Sequence, residues 1–156
     1  MRKTIHILLW SLFFLYCLFM VYLLFLSRPL QLEYSIRDFF RGNSNFIPFR
    51  TIFEYIERYR NGFRAAAFIN LVGNLFAFFP LGIFLPCLFK SQRCLSRFFL
   101  TVFAIIVLVE ITQLFLRAGV IDIDDVIFNV FGAVVSFGLV AIPSVRNVLK
   151  KLHLYF

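Results

Sequence analysis

The sequence predicts an all-α membrane protein: a four-transmembrane-helix bundle, N-in and C-in, with an outer loop containing an interfacial amphipathic helix. Three observations predict it. The chain is 62% hydrophobic with only 15% charged residues, and 24 of its 156 residues are Phe. This exceeds the roughly 45–50% apolar share of soluble domains. The apolar residues also come in blocks long enough to cross a hydrocarbon core of roughly 30 Å. Finally, all four lysines fall in the short segments assigned to one side of the membrane. No length remains for a second domain, so residues 1–156 read as one unit.

The first span covers residues 5–26, a run without acidic or basic side chains apart from His6, preceded by Arg2 and Lys3. A basic start before an apolar run also describes a secretory signal. The run is longer than a signal core and no small-x-small cleavage pattern follows it, which favours a retained anchor. Residues 28–65 form the outer loop. Within it, Ser35 and Asp38 have the spacing of a capping box, and Pro48 stops any helix begun there. After Pro48, the residues Ile52, Ile56, Tyr59 and Phe63 recur at helical spacing, with Glu54 and Arg58 paired four apart on another face. That pattern fits a helix in the membrane interface, with a solvated loop as the plainer reading.

The second span, 66–89, has Asn70, Gly73 and Asn74 near its start and Pro80 and Gly82 in its middle, so it should kink or break near Phe79. A basic loop leads to the third span, 98–116, and the fourth runs 126–142 until Pro143. With both termini inside, the inner segments hold Arg2, Lys3, Lys90, Arg93, Arg97, Arg146, Lys150 and Lys151 and no acid. The outer segments mix Arg28, Arg37, Arg41, Arg50, Arg58, Arg60, Arg64 and Arg117 with seven acids. This distribution, not nucleic-acid binding, accounts for the net charge of +8. Location in the cell membrane, multi-pass with cytoplasmic termini, follows as the expectation. Cys17, Cys87 and Cys94 are odd in number and scattered, which argues against a disulfide framework. His6 and His153 sit at the inner ends and carry no chemistry in this reading.

The polar centre of the chain is the stretch from Glu110 to Gly132. Glu110, Gln113 and Arg117 share a helical face, a turn supplies Asp122, Asp124 and Asp125, and Asn129 and Gly132 open the last span. A charge at the centre of a membrane helix costs about 2.5–3.5 kcal/mol on insertion scales, so such residues are candidate functional groups. Under the predicted topology they gather in the outer half of the bundle with Asn70 and Asn74. Spans two and four both begin Asn-x-x-Gly (Asn70/Gly73 and Asn129/Gly132), an amide beside a point of close approach; span three should pack between them there. Each part also has a plainer role: Asp124 or Asp125 as a helix cap, Glu110 and Arg117 as a buried ion pair, the asparagines as interhelical hydrogen bonds. The four carboxylates would suit a hard cation, but Arg117 would compete for the same oxygens, so no metal or other cofactor is expected.

The segments 45–49 (NFIPF), 73–82 (GNLFAFFPLG), 110–113 (EITQ) and 122–132 (DIDDVIFNVFG), in this order and spacing, resemble the VanZ-like family across residues 45–140. The resemblance implies a small envelope membrane protein whose motif residues match Asn74, Pro80, Glu110, Gln113, Arg117, Asp122, Asp125 and Asn129. The family's founding member is associated with teicoplanin-type glycopeptide resistance in Gram-positive bacteria. Two functions from different classes follow. In the first, Asn70, Asn74, Glu110, Gln113, Arg117, Asp122, Asp124, Asp125 and Asn129 bind an amphiphile from the outer leaflet, a lipid-linked cell-wall precursor or a lipoglycopeptide. In the second, the protein is an enzyme on a lipid-linked envelope substrate, with Glu110 as general acid or base and Arg117 and Asp125 assisting. Gly73, Pro80, Gly82 and Gly132 are structural in both. Membrane lipids are the expected partners; oligomeric state is not encoded in any feature of the sequence.

Overall fold

A computed structural model describes residues 2–42, 44–60, 72–119, 121–152 and 154. Helix α1 covers Arg2–Val21 and runs on through a π-helical turn, Tyr22–Leu26. Two short helices follow, α2 (Ile36–Gly42) and α3 (Arg50–Arg60). A helical stretch over 72–77 (α4) precedes α5 (Leu81–Leu88), the long helices α6 (Leu95–Leu116) and α7 (Ile123–Ala141), and the terminal α8 (Pro143–Lys151). Lys3–Leu26, Leu95–Leu116 and Ile123–Ala141 are each long and apolar enough to cross a membrane. Val72–Leu88 is a shorter apolar helix. The beginning of the predicted second span, with Asn70, lies outside the described residues.

Ser35 forms one half of the capping box its spacing predicts, because Asp38 accepts the Ser35 hydroxyl and not its backbone N–H. Its hydroxyl donates to Asp38 Oδ2 at 2.7 Å and accepts the Asp38 N–H at 3.2 Å, fixing the start of α2. Pro80 interrupts the second apolar helix at residues 78–80. Without a proline N–H the ladder slips: Phe79 N–H turns to Phe76 O, and Leu81 N–H to Phe78 O. Ala77 therefore loses its regular partner, and the Tyr16 hydroxyl of α1 donates to the Ala77 carbonyl at 2.9 Å. A side chain on a neighbouring helix thus satisfies a group that lipid could not.

The packing order differs from the expected one. Helix α7, not α6, is central: it packs along both α5 and α6, which meet each other only sparsely. The glycines explain it. A Cβ at Gly132 would collide with the carbonyl oxygen of Leu75, and one at Gly82 would lie 2.5 Å from both Ala133 O and Phe137 N. Backbones approach there as only glycine permits. Gly73, expected to do the same, has nothing within 4 Å of a built Cβ and is exposed. The core between these helices holds Phe78, Leu81, Leu85, Phe98, Val102 and Ile106, with Phe98 stacked on Phe137 at 4.6 Å and Met20 and Leu24 closing it from α1.

Helix α3 bears out the helical period expected after Pro48. Thr51, Ile52 and Tyr55 are half-buried, whereas Ile56 and Tyr59 are exposed. The ion pair on it is Arg50–Glu54 at 3.1 Å rather than Glu54–Arg58. Phe63 falls outside the described residues.

Candidate functional site

Helix α7 begins at a two-residue parallel pairing, Ser44↔Ile121 and Asn45↔Asp122, which brings the NFIPF segment across more than seventy residues of chain. This pairing gives the three aspartates three separate positions. Asp122 is the N-cap of α7, accepting the Asp124 N–H at 2.9 Å. It also accepts Asn45 Nδ2 at 3.1 Å and the Thr51 hydroxyl. Asp124 is 2% exposed and caps a different helix: its oxygens accept the Phe49 N–H at 2.5 Å and the Thr51 N–H at 2.9 Å at the start of α3. A carboxylate there satisfies orphan N–H groups and meets the positive end of the helix dipole. It also holds Phe49 in a left-handed backbone (φ 68°), which a bulky residue adopts only under constraint. Asp125 is half-buried and accepts Asn74 Nδ2 from α4. The capping role expected of Asp124 or Asp125 on their own helix thus belongs to Asp122.

Two other expected ligand residues are engaged in holding the scaffold. Gln113 Nε2 donates to Leu24 O at 3.0 Å, at the end of α1, where Pro29 has no N–H to offer the π-helical turn. Arg117 sits in the left-handed conformation (φ 52°) just past α6. Ala118 N–H reaches Gln113 O and Arg117 N–H reaches Leu114 O, the Schellman pattern, with arginine where glycine is usual. Its Nη1 donates to Leu32 O at 2.8 Å and its carbonyl accepts Gln31 N–H, so it ties down the loop after α1. The alternative Glu110–Arg117 ion pair does not form among the described residues, and a different cation acts on Glu110 without an ion-pair contact. Arg28 carries the positive charge acting on Glu110 and Asp125.

Arg28 enters beside Gly119, where an added Cβ would lie 2.7 Å from its Nη1. It lines two adjoining clefts. One, of about 490 Å³, is polar and bounded by Arg28, Asn74, Asp122, Asp125, Glu54 and Arg58. The other, of about 470 Å³, is bounded by Arg28, Asn74 and Asn129 at one end and by apolar side chains of α1 and α4 such as Phe19, Leu23 and Phe76. Two buried acceptors at this site, Glu110 Oε2 and Asn129 Oδ1, have no hydrogen-bond partner among the described residues. Glu110 and Asn129 are 7% and 5% exposed. Burying an acceptor unpaired is costly, so each calls for a donor such as a water or a ligand.

The structure thus gathers Asn74, Glu110, Asp122, Asp124, Asp125 and Asn129 around the start of α7, and sets Gln113 and Arg117 beside them as fasteners. Asn70 lies outside the described residues. Sequence reasoning missed Arg28, Asn45, Thr51 and Gly119. Asn45 carried one signal, its place in the quoted NFIPF motif; Arg28 looked like any base flanking an apolar span.

These features define a polytopic helical membrane protein with a buried polar site at one end of its bundle. The family model described as VanZ/LLP1 matches residues 13–144. The chain belongs to that family, and the match takes in the later part of α1 as well as the motif segments. No curated protein and no solved structure matches the chain.

Proposed function

We propose that the protein binds an amphiphile presented by the outer leaflet, a lipid-linked wall precursor or a lipoglycopeptide, and so contributes to teicoplanin-type glycopeptide resistance. The observation that carries this reading is the sharing of Arg28 and Asn74 between a polar cleft and an apolar one. A head group in the first and a chain in the second would both be served, with the arginine at their junction. Pockets of this size and mixed lining suit small amphiphilic ligands. In this reading four spans cross the cell membrane with both termini cytoplasmic, and α3 lies in the outer interface.

Cys94 tests the orientation. It is exposed, and its thiol is held below the usual range by a hydrogen bond with Ser96 and by the backbone N–H groups of Arg97 and Ser96. In intact cells it is expected to react with a membrane-permeant maleimide and to resist an impermeant one. Labelling by the impermeant reagent would reverse the topology.

Binding is tested by the thermal shift of purified protein with teicoplanin and with a lipid-linked wall precursor. Gly119→Ala is the informative variant. The added methyl would lie 2.7 Å from the far end of the flexible Arg28 side chain and in ordinary contact with Gln113 at 3.8 Å, so the fold should persist while the guanidinium is displaced. Losing one charge-assisted contact of this kind should weaken binding about tenfold. Unchanged affinity would remove Arg28 from the site. The enzymatic alternative retains one supporting observation, the unpartnered Glu110 Oε2. It requires that mass spectrometry find a wall precursor chemically altered by the wild type and not by Glu110→Gln.

A further inference from the structure

The polar cleft holds charges of both signs, and two of its three carboxylates are already engaged. Glu54 is paired with Arg50, and Asp122 accepts from Asn45, Thr51 and the Asp124 amide. What remains is uneven in a specific way. Asp125 receives only Asn74, and Glu110 Oε2 and Asn129 Oδ1 receive nothing among the described residues. All three need donors. Arg28, which unlike Arg58 borders both clefts, makes no hydrogen bond or ion pair through its guanidinium among the described residues, and it needs an acceptor.

Resting on the amphiphile-binding reading, we infer that the head group this site takes is zwitterionic, with an acidic group on Arg28 and a protonated amine on the side of Asp125 and Glu110. An ammonium brings three donors and no acceptor, which suits two carboxylates with acceptor oxygens to spare. A phosphate or carboxylate gives the guanidinium a bidentate partner. Arg28 borders both clefts and Asp125 only the polar one, so the acidic group sits next to the chain and the amine lies farther from it. A purely anionic head group would leave the buried acceptors empty and bring its charge to Asp125. A purely cationic one would leave Arg28 unmatched.

The test uses the full chain in maltoside detergent and three single-chain probes of equal chain length. These are lysophosphatidylethanolamine, lysophosphatidylglycerol and an alkylammonium, each titrated by thermal shift and native mass spectrometry. The zwitterionic probe is expected to bind about tenfold more tightly than either of the others. Arg28→Gln should weaken both phosphate probes alike. Asp125→Asn should abolish the preference for the amine and leave the glycerol probe unaffected. Should that variant fail to fold, Glu110→Gln carries the same expectation. Glycerol-headed binding as tight as ethanolamine-headed binding, or a preference that survives both substitutions, would overturn the zwitterion. Binding of none of the probes would overturn the amphiphile reading along with it.

Discussion

Gly132→Ala is expected to prevent accumulation of folded protein. The methyl group would be driven into the Leu75 carbonyl oxygen, and this obstacle is backbone, so no rotamer change removes it. Overpacking typically costs about 1–3 kcal/mol and more where the neighbour cannot yield, so a loss above about 3 kcal/mol is expected. The geometry has a cause in the sequence. The Pro80 break draws the Phe79 N–H to Phe76, which leaves the Leu75 carbonyl without its regular helical donor and turned to the interface. Relieving the collision would carry α7 away from α4, and with it Asp125 away from Asn74. Gly138→Ala is the matched control: six residues along the same helix, it has nothing within 4 Å of the added Cβ and should melt like the parent. Melting curves in detergent for both variants decide the matter, and a Gly132→Ala protein as stable as Gly138→Ala would refute the close approach.

That glycine also shows where the sequence was informative and where it was silent. The Asn-x-x-Gly pattern occurs twice, yet only Gly132 is a packing point; Gly73 faces outward. The two look alike because the pattern encodes a permissive surface and not the surface that meets it. The long helices were legible because an apolar block of membrane-spanning length has few other uses. The Ser35 cap of α2 and the interruption at Pro80 were legible because they depend on atoms a few residues apart. The central position of α7, the arrival of Arg28 beside Gly119 and the hold of the Asn45 segment depend instead on contacts across tens of residues. A two-residue pairing of Ser44–Asn45 with Ile121–Asp122 leaves no periodic trace. Arg117 was misread for a related reason. Helical spacing put it on the face of Glu110, but α6 ends there in a left-handed residue and the side chain departs toward Leu32.

The three aspartates separate scaffold from site most sharply, and Asp124→Ala is expected to have the second large effect on stability. It removes both acceptors from the start of α3, leaving the Phe49 and Thr51 N–H groups without partners. Each unsatisfied donor costs roughly 1–3 kcal/mol, so a loss on the order of 2–6 kcal/mol is expected, the lower end applying if water reaches them. The strained backbone at Phe49 would relax, and α3 would come away from the end of α7. Limited proteolysis should then cut within 46–60, where the parent is protected. Asp124→Asn retains one acceptor oxygen and should fall between the two. Asp125→Asn should behave in the opposite sense: it keeps an oxygen for Asn74, holds no other helix end, and should fold like the parent while losing ligand affinity. Adjacent carboxylates would then differ in what they do because one is spent entirely on backbone amides and the other keeps an oxygen to offer. Equal stability of Asp124→Ala and Asp125→Asn, with both losing binding, would return Asp124 to the site and end its assignment as the anchor of α3.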